Sequence, residues 1–138
     1  MNAKLFLTLA MSVVSFTTVR AAEALDEKAF QKNMKAVGKT SKAFKANFEA
    51  KNAAAIEKDG AATAEAYQAM AAFFKARKND DAVKWSEDSA AGAAGAAAAA
   101  KAGDWDKVKS QWGAAGKNCK ACHDKYREKL DDGGYKIK

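Results

Sequence analysis

"WDKVKSQWGAAGKNCKACHDKYREKL", Trp105 to Leu130, carries an apolar seam through its length. Trp105, Val108, Trp112, Ala115, Cys119, Cys122, Tyr126 and Leu130 succeed one another at steps of three or four residues, the spacing that stacks side chains on one face of an α-helix. The stretch therefore predicts one long helix with both thiols turned toward a core. It also holds the only histidine of the chain, His123, directly after the second cysteine.

Two more stripes of the same period precede it. Phe30, Met34, Val37, Phe44 and Phe48 predict a first helix from about Leu25, and Ile56, Thr63, Tyr67, Met70 and Phe74 a second from near Asn52 to about Lys78. Asp59-Gly60 interrupts the second, either as a tolerated weak point or as a late start. Asn79-Asp80-Asp81 offers side-chain acceptors and favourable negative charge to the start of a third helix, about Asp81 to Ala102. Its run "AAGAAGAAAAA" has high helix propensity and side chains small enough for a neighbouring helix to lie close. Gly103 suits a left-handed stop and Asp104 the cap of the fourth helix. With no proline, abundant alanine and no convincing strand, the fold class is all-α. Short links make successive helices antiparallel neighbours, which gives an up-down-up-down four-helix bundle with the first and fourth helices adjacent and the second diagonal to the fourth.

Two cysteines two residues apart serve several chemistries. Zinc normally takes four Cys or His ligands, and the chain has three such residues in all. A thioredoxin-like redox pair opens a helix after a strand, whereas this pair is predicted deep inside a helix. A disulfide between positions i and i+3 of a continuous helix distorts its geometry. The pattern C-x-x-C-H is the attachment motif of haem c, with Cys119 and Cys122 as thioether donors and His123 as the proximal iron ligand. The predicted bundle thus carries one covalently bound haem c.

Residues 1–21, "MNAKLFLTLAMSVVSFTTVRA", read as a cleaved secretory leader: a positive residue, an apolar run from Leu5 to Val19, then small residues. Cleavage after Ala24 is the alternative to cleavage after Ala21, and residues 22–138 form the four-helix-bundle domain that carries the haem. The apolar run is shorter than the roughly 20 residues that span a bilayer, and no other stretch of the mature chain could span one. The expected location is periplasmic. Twenty-four Lys and Arg against seventeen Asp and Glu give +7, and loss of Lys4 and Arg20 with the leader leaves +5. That excess is moderate and spread out, and such a surface steers an acidic partner, a membrane surface or nucleic acid by its long-range field. It lacks the basic cluster and groove-entering motif of a nucleic-acid reader. No nucleophile and base pair, phosphate loop or carboxylate constellation stands out, so no enzymatic activity is expected.

Ala102 to Arg127, "AGDWDKVKSQWGAAGKNCKACHDKYR", resembles the last helix of the class II c-type cytochromes, the cytochrome c′ and cytochrome c-556 group. "FQKNMKAVGK" in the first helix is similar to the segment that faces the iron from the opposite side in that family. The resemblance covers essentially the whole mature chain. It implies a four-helix bundle with haem near the carboxyl end, and redox proteins as partners. Homodimers are common in the family, although no outer stripe here is apolar enough to mark an interface. Arg127 matches the arginine that commonly follows the motif, placed either near the proximal imidazole or a propionate, or in solvent.

With one histidine, paired histidine ligation within one chain is excluded. After leader removal Met34 and Met70 are the only thioethers. Met34 lies about 14 Å into the first helix and His123 about 10 Å from the end of the fourth, similar depths in antiparallel packing. Met70 is at similar depth on the second helix, so adjacency and the resemblance choose Met34 as sixth ligand. A methionine at the matching place is a ligand in cytochrome c-556, while in some cytochrome c′ proteins the residue there crowds the iron and leaves it five-coordinate, open to NO or CO. Phe30, Val37, Trp112 and Tyr126 are expected to form the apolar wall. The function read from these features is single-electron carriage, with gas binding as its alternative.

Overall fold

The computed structural model describes residues 26–138, so the leader lies outside the described residues. Its helices are α1 (Glu27–Glu49), α2 (Ala53–Ala76), α3 (Asp80–Lys101), α4 (Trp105–Gly116) and α5 (Cys119–Tyr126), followed by strands β1 (Arg127–Lys129) and β2 (Tyr135–Ile137). The first three helices and the α4–α5 rod make the four-helix bundle. Three-residue links join α1, α2, α3 and α4, which makes each antiparallel to the next.

The caps follow local chemistry. Asp26 accepts from the Ala29 amide at 2.6 Å, Asn52 from Ala55 at 3.1 Å and Asp104 from Lys107 at 3.0 Å, each satisfying an amide that has no partner within its helix. Asn79 makes no such bond, contrary to expectation. Asp81 instead accepts from the Ala82 amide at 2.9 Å and spends its remaining capacity on α5.

α1, α2 and α3 all end in the same paired turn. The residue after the cap donates to the third carbonyl back, and the following residue reaches five back: Asn52 to Asn47 at 2.9 Å, Asn79 to Phe74 at 3.1 Å and Asp104 to Ala99 at 3.0 Å. The left-handed residue is glycine only at Gly103 (φ 73°); Lys51 (φ 48°) and Lys78 (φ 58°) occupy it in the other two.

α2 runs unbroken through Asp59-Gly60. A Cβ on Gly60 would meet the Ala93 carbonyl oxygen at 2.9 Å, so this glycine serves close approach of α3. Gly92 does the same toward α4, where a Cβ would lie 2.5 Å from the Ala115 amide nitrogen. The alanine run is therefore a packing surface, with Ala93 and Ala96 fully buried.

The core has a cluster at each end of the bundle and a small-residue cluster, Ala64, Ala93 and Ala115, between them. At one end Ile56, Ala99, Ala100 and Val108 pack with Phe44, Phe48 and Trp105. At the other Phe30, Val37, Phe73, Phe74 and Tyr126 gather around α5. Stacking of Phe44 on Trp112 (centroids 4.5 Å apart) and the edge contact of Phe48 with Trp105 (5.9 Å) make α1 and α4 neighbours, as expected.

Two expectations are corrected. The predicted single last helix breaks at Lys117–Asn118, so Cys119 opens the short α5 instead of lying deep in a long helix. Lys117 (φ −54°, ψ −40°) is still helical and Asn118 (φ −96°, ψ −1°) leaves the helix, too slight a departure to disturb the three-and-four spacing. The helix then stops at Tyr126, and an antiparallel hairpin pairs Arg127 with Ile137, Glu128 with Lys136 and Lys129 with Tyr135. Leu130 belongs to the hairpin turn, where its amide donates to the Gly134 carbonyl at 2.9 Å. Asp131-Asp132-Gly133-Gly134 supplies the tight reversal, with Gly133 at φ 82°.

Candidate haem site

A cavity of about 660 Å³ opens at the α5 end of the bundle. Cys119, Cys122 and His123 line it from α5, Met34 from α1 and Met70 from α2. All five sequence-predicted candidates for haem attachment and ligation thus reach one space. Both methionines do so because α2 also borders α5, through Phe74 against Tyr126 (centroids 5.3 Å apart) and Tyr67 against Cys119. Met70 is the more deeply placed, 2% exposed, whereas Met34 is half-buried.

Phe30, Val37 and Tyr126 form wall as expected. Trp112 does not, since it lies on α4 beyond the break and stacks with Phe44. Phe74 and Trp85 take that part of the wall. Trp85 stands on α3, a helix whose alanine-rich stripe gave the sequence reading no aromatic to place.

α5 is held from two sides. Asp81 at the start of α3 accepts from the Tyr126 hydroxyl at 2.5 Å and from Lys125 Nζ at 2.6 Å. Lys125 Nζ and then Tyr126 hold the Asp81 carboxyl below its ordinary range, and the same bond to Asp81 raises Lys125. The hairpin crosses to α1, where the Ile137 amide donates to Glu27 Oε1 at 2.8 Å and Gln31 Nε2 donates to the Tyr135 carbonyl at 2.7 Å. Arg127 lies over the Tyr135 ring, 4.2 Å from its centroid. The hairpin therefore closes one side of the cavity, with Tyr135, Lys136 and Ile137 in the lining. The signal for it was the Asp-Gly turn between Glu128-Lys129 and the Tyr135–Ile137 segment.

The electrostatics suit iron ligation. Burial, followed by the Arg127 charge, lowers the His123 pKa against the opposing pull of Asp124. A neutral imidazole with a free lone pair is the form that binds a metal. Burial pushes the Cys122 thiol up to about 11, with Cys119 as the next cause. Burial and Cys119 likewise raise Tyr67, whose hydroxyl lies 3.6 Å from Cys119 Sγ. Both cysteines are free and half-buried.

The donor set fits a haem. Two free thiols in i and i+3 relation, an imidazole beside them and two thioethers share a mainly aromatic and aliphatic space, while Lys35, Arg127 and Lys136 supply cations at its lining for the two carboxylates of the porphyrin. A volume of about 660 Å³ falls within the ordinary range of cofactor pockets.

Fold and site together define a haem-binding four-helix bundle with its attachment motif at the carboxyl end. The chain matches the family model described as Cytochrome C' over residues 6–127, and it belongs to that family. It is a c-type cytochrome whose cofactor is covalently attached haem c with iron. Members are typically periplasmic, and they are generally electron carriers or gas-binding proteins rather than classical enzymes. No curated protein and no solved structure matches the chain. Among the described residues, no helix is long and apolar enough to cross a membrane.

Proposed function

We propose that this cytochrome is a periplasmic single-electron carrier. Cys119 and Cys122 would hold the haem, and His123 and Met34 would ligate its iron. The observation that carries the reading is the convergence of both thiols, the imidazole and a thioether from the facing helix on one largely apolar cavity. When bound, haem c supplies a one-electron couple, and a thioether ligand raises its potential.

The chain's own part is to orient and to exclude water. Asp81 holds α5 through Tyr126 and Lys125, which steadies His123. Phe30, Val37, Phe74 and Trp85 keep the cavity apolar, and the hairpin covers it. A rigid, dry surround reduces the rearrangement that accompanies a change of iron charge.

A second reading rests on Gly38, one turn beyond Met34 in the same lining. A Cβ built there meets nothing within 4 Å, so there is open space on the Met34 side. A five-coordinate iron with a diatomic gas in that space is the alternative.

The test is the spectrum of protein matured with haem-attachment machinery. The expected result is a methionine-to-iron charge-transfer band in the oxidised form, lost in Met34→Ala and kept in Met70→Ala, with slow, weak CO binding to the reduced form. Rapid, tight CO binding by the unmodified protein would establish the gas-binding reading instead. Loss of the band only in Met70→Ala would transfer the ligand role to the second helix. Protein lacking a Soret band after maturation would defeat both readings.

A further inference from the structure

α1 carries Lys28, Lys32, Lys35, Lys39 and Lys42, separated by alternate steps of four and three. At 100° per residue they fall within an arc of about 80°, centred opposite the buried Phe30 and Val37, and span about 21 Å of helix. All five are exposed, and no Asp or Glu occurs between Lys28 and Lys45.

Elsewhere several lysines are paired, and those without such a partner among the described residues, Lys75, Lys107 and Lys109 among them, form no comparable run on one helix face. Lys84 pairs with Asp88, Lys101 with Glu57, Lys120 with Asp124, Lys125 with Asp81 and Lys136 with Glu128. Among the described residues, none of the five α1 lysines has a carboxylate within ion-pair distance, and only Lys45, off the stripe, reaches Glu49 at 3.8 Å. Like charges three and four apart on a helix repel one another. They are also closer together than the Debye length of about 10 Å at 0.1 M salt, so their fields add. The stripe touches the site as well: Lys35 lines the haem cavity, on the helix that contributes Met34.

We infer that the α1 lysine stripe is the docking surface for an acidic redox protein, which lays a row of carboxylates along α1 beside the haem cavity. Charge complementarity selects the partner's chemistry. The face itself selects a protein over a lipid surface, because the apolar side of α1 is used in the core and the residues that flank the stripe, Gln31, Ala36, Gly38 and Ala43, leave nothing large and apolar to enter a bilayer. Docking of this kind accelerates encounter and adds to affinity at low salt, and salt weakens it. The inference rests on the electron-carrier reading.

The probe is a fluorescein-labelled helical peptide of about 21 residues, matching the stripe, with glutamates at alternate steps of four and three. Its anisotropy is followed against holoprotein at about 20 mM and about 200 mM salt, the range over which screening acts on exposed charges. Three proteins are compared: wild type, Lys28→Glu/Lys32→Glu/Lys39→Glu, and the equally charged control Lys75→Glu/Lys107→Glu/Lys109→Glu, with circular dichroism confirming that each is folded. The α1 triple is expected to bind about tenfold or more weakly and to lose most of its salt dependence, while the control stays within about twofold of wild type. Equal losses in both triples, or no loss in the α1 triple, overturn the inference. So does preferential binding of wild type to phosphatidylglycerol vesicles through the same lysines under conditions where the peptide is not held. A mediated redox titration separates the two claims: lack of a reversible one-electron couple removes the carrier reading whatever the peptide does, whereas a normal couple with an indifferent α1 triple removes the docking surface alone.

Discussion

The middle of the bundle and its cavity end are built from the same helices with opposite side-chain sizes. In the middle, glycines and alanines bring backbones together, to the point where a methyl on Gly60 or Gly92 meets main-chain atoms, and Ala64, Ala93 and Ala115 pack as a cluster of their own. At the cavity end, Phe30, Phe73, Phe74, Trp85 and Tyr126 keep the helices from closing, with Phe74 within 5.3 to 5.4 Å of three other rings. The comparison shows how one bundle makes a site without a loop domain: small residues clamp the middle, and large ones prop one end open around α5.

The largest effect is expected where the prop is removed. Phe74 is 1% exposed and connects α1, α2 and α5. Phe74→Ala should cost about 3–5 kcal/mol in urea unfolding, transfer and cavity terms together. A cost under about 1 kcal/mol would mean that the cavity end collapses freely and that the rings are no scaffold.

The same substitution at two glycines should give opposite signs. Alanine is favoured over glycine inside a helix by about 1 kcal/mol. At Gly92 the methyl would lie 2.5 Å from the Ala115 nitrogen and 2.8 Å from the Gln111 carbonyl oxygen, backbone atoms that cannot swing aside. Overpacking of about 1–3 kcal/mol then offsets or outweighs propensity, so Gly92→Ala should lose up to about 2 kcal/mol net. At Gly38 nothing lies within 4 Å, so Gly38→Ala should gain up to about 1 kcal/mol and at the same time fill space beside Met34. Equal signs in denaturant titrations of the two variants would erase the distinction between the middle and the cavity end.

A smaller effect is expected in acid, at the joint between α3 and α5. Lys125 and Tyr126 hold the Asp81 carboxyl low, so its contribution is present above the ordinary Asp value of about 3.9 and is lost as pH falls through its depressed folded value. Asp124, lowered by Lys120, adds a parallel background on the surface of α5. Unfolding midpoints followed from pH 7 downward should fall below about pH 4 in wild type and fall less steeply in Asp81→Asn. An unchanged acid slope in that variant would leave Asp81 without a role in holding α5.

The helix stripes, their boundaries and the motif were legible in the sequence because all are local signals. Three-and-four spacing marked the stripes, Asp104 and Gly103 marked a boundary, and C-x-x-C-H needed no tertiary information. The cavity end was read less well. The break at Lys117–Asn118 leaves the periodic seam intact, so periodicity carried the predicted helix through it and sent Trp112 to the wrong wall. The hairpin was missed because Asp-Gly and the short Tyr135–Ile137 segment are weak signals beside a long helical pattern. Trp85 and Met70 reach the cavity through the way α2 and α3 pack, which no single-helix stripe records.

The smallest effect distinguishes two helix ends of identical geometry. α2 and α3 stop with the same pair of hydrogen bonds, Lys78 to Lys75 and Asn79 to Phe74 in one, Gly103 to Ala100 and Asp104 to Ala99 in the other. Only α3 places glycine in the left-handed position; α2 places Lys78 there, at φ 58°. A side chain costs roughly 1–2 kcal/mol in that conformation, while glycine adds about 0.4–1 kcal/mol of unfolded-chain entropy. The difference leaves Lys78→Gly more stable by about 0.5 kcal/mol. The reciprocal Gly103→Lys should lose a similar amount, since nothing lies within 4 Å of its built Cβ and only the backbone term operates. Paired denaturation curves that move in the same direction would show that the turn at Lys78 is supported by contacts of its side chain and not by the backbone alone.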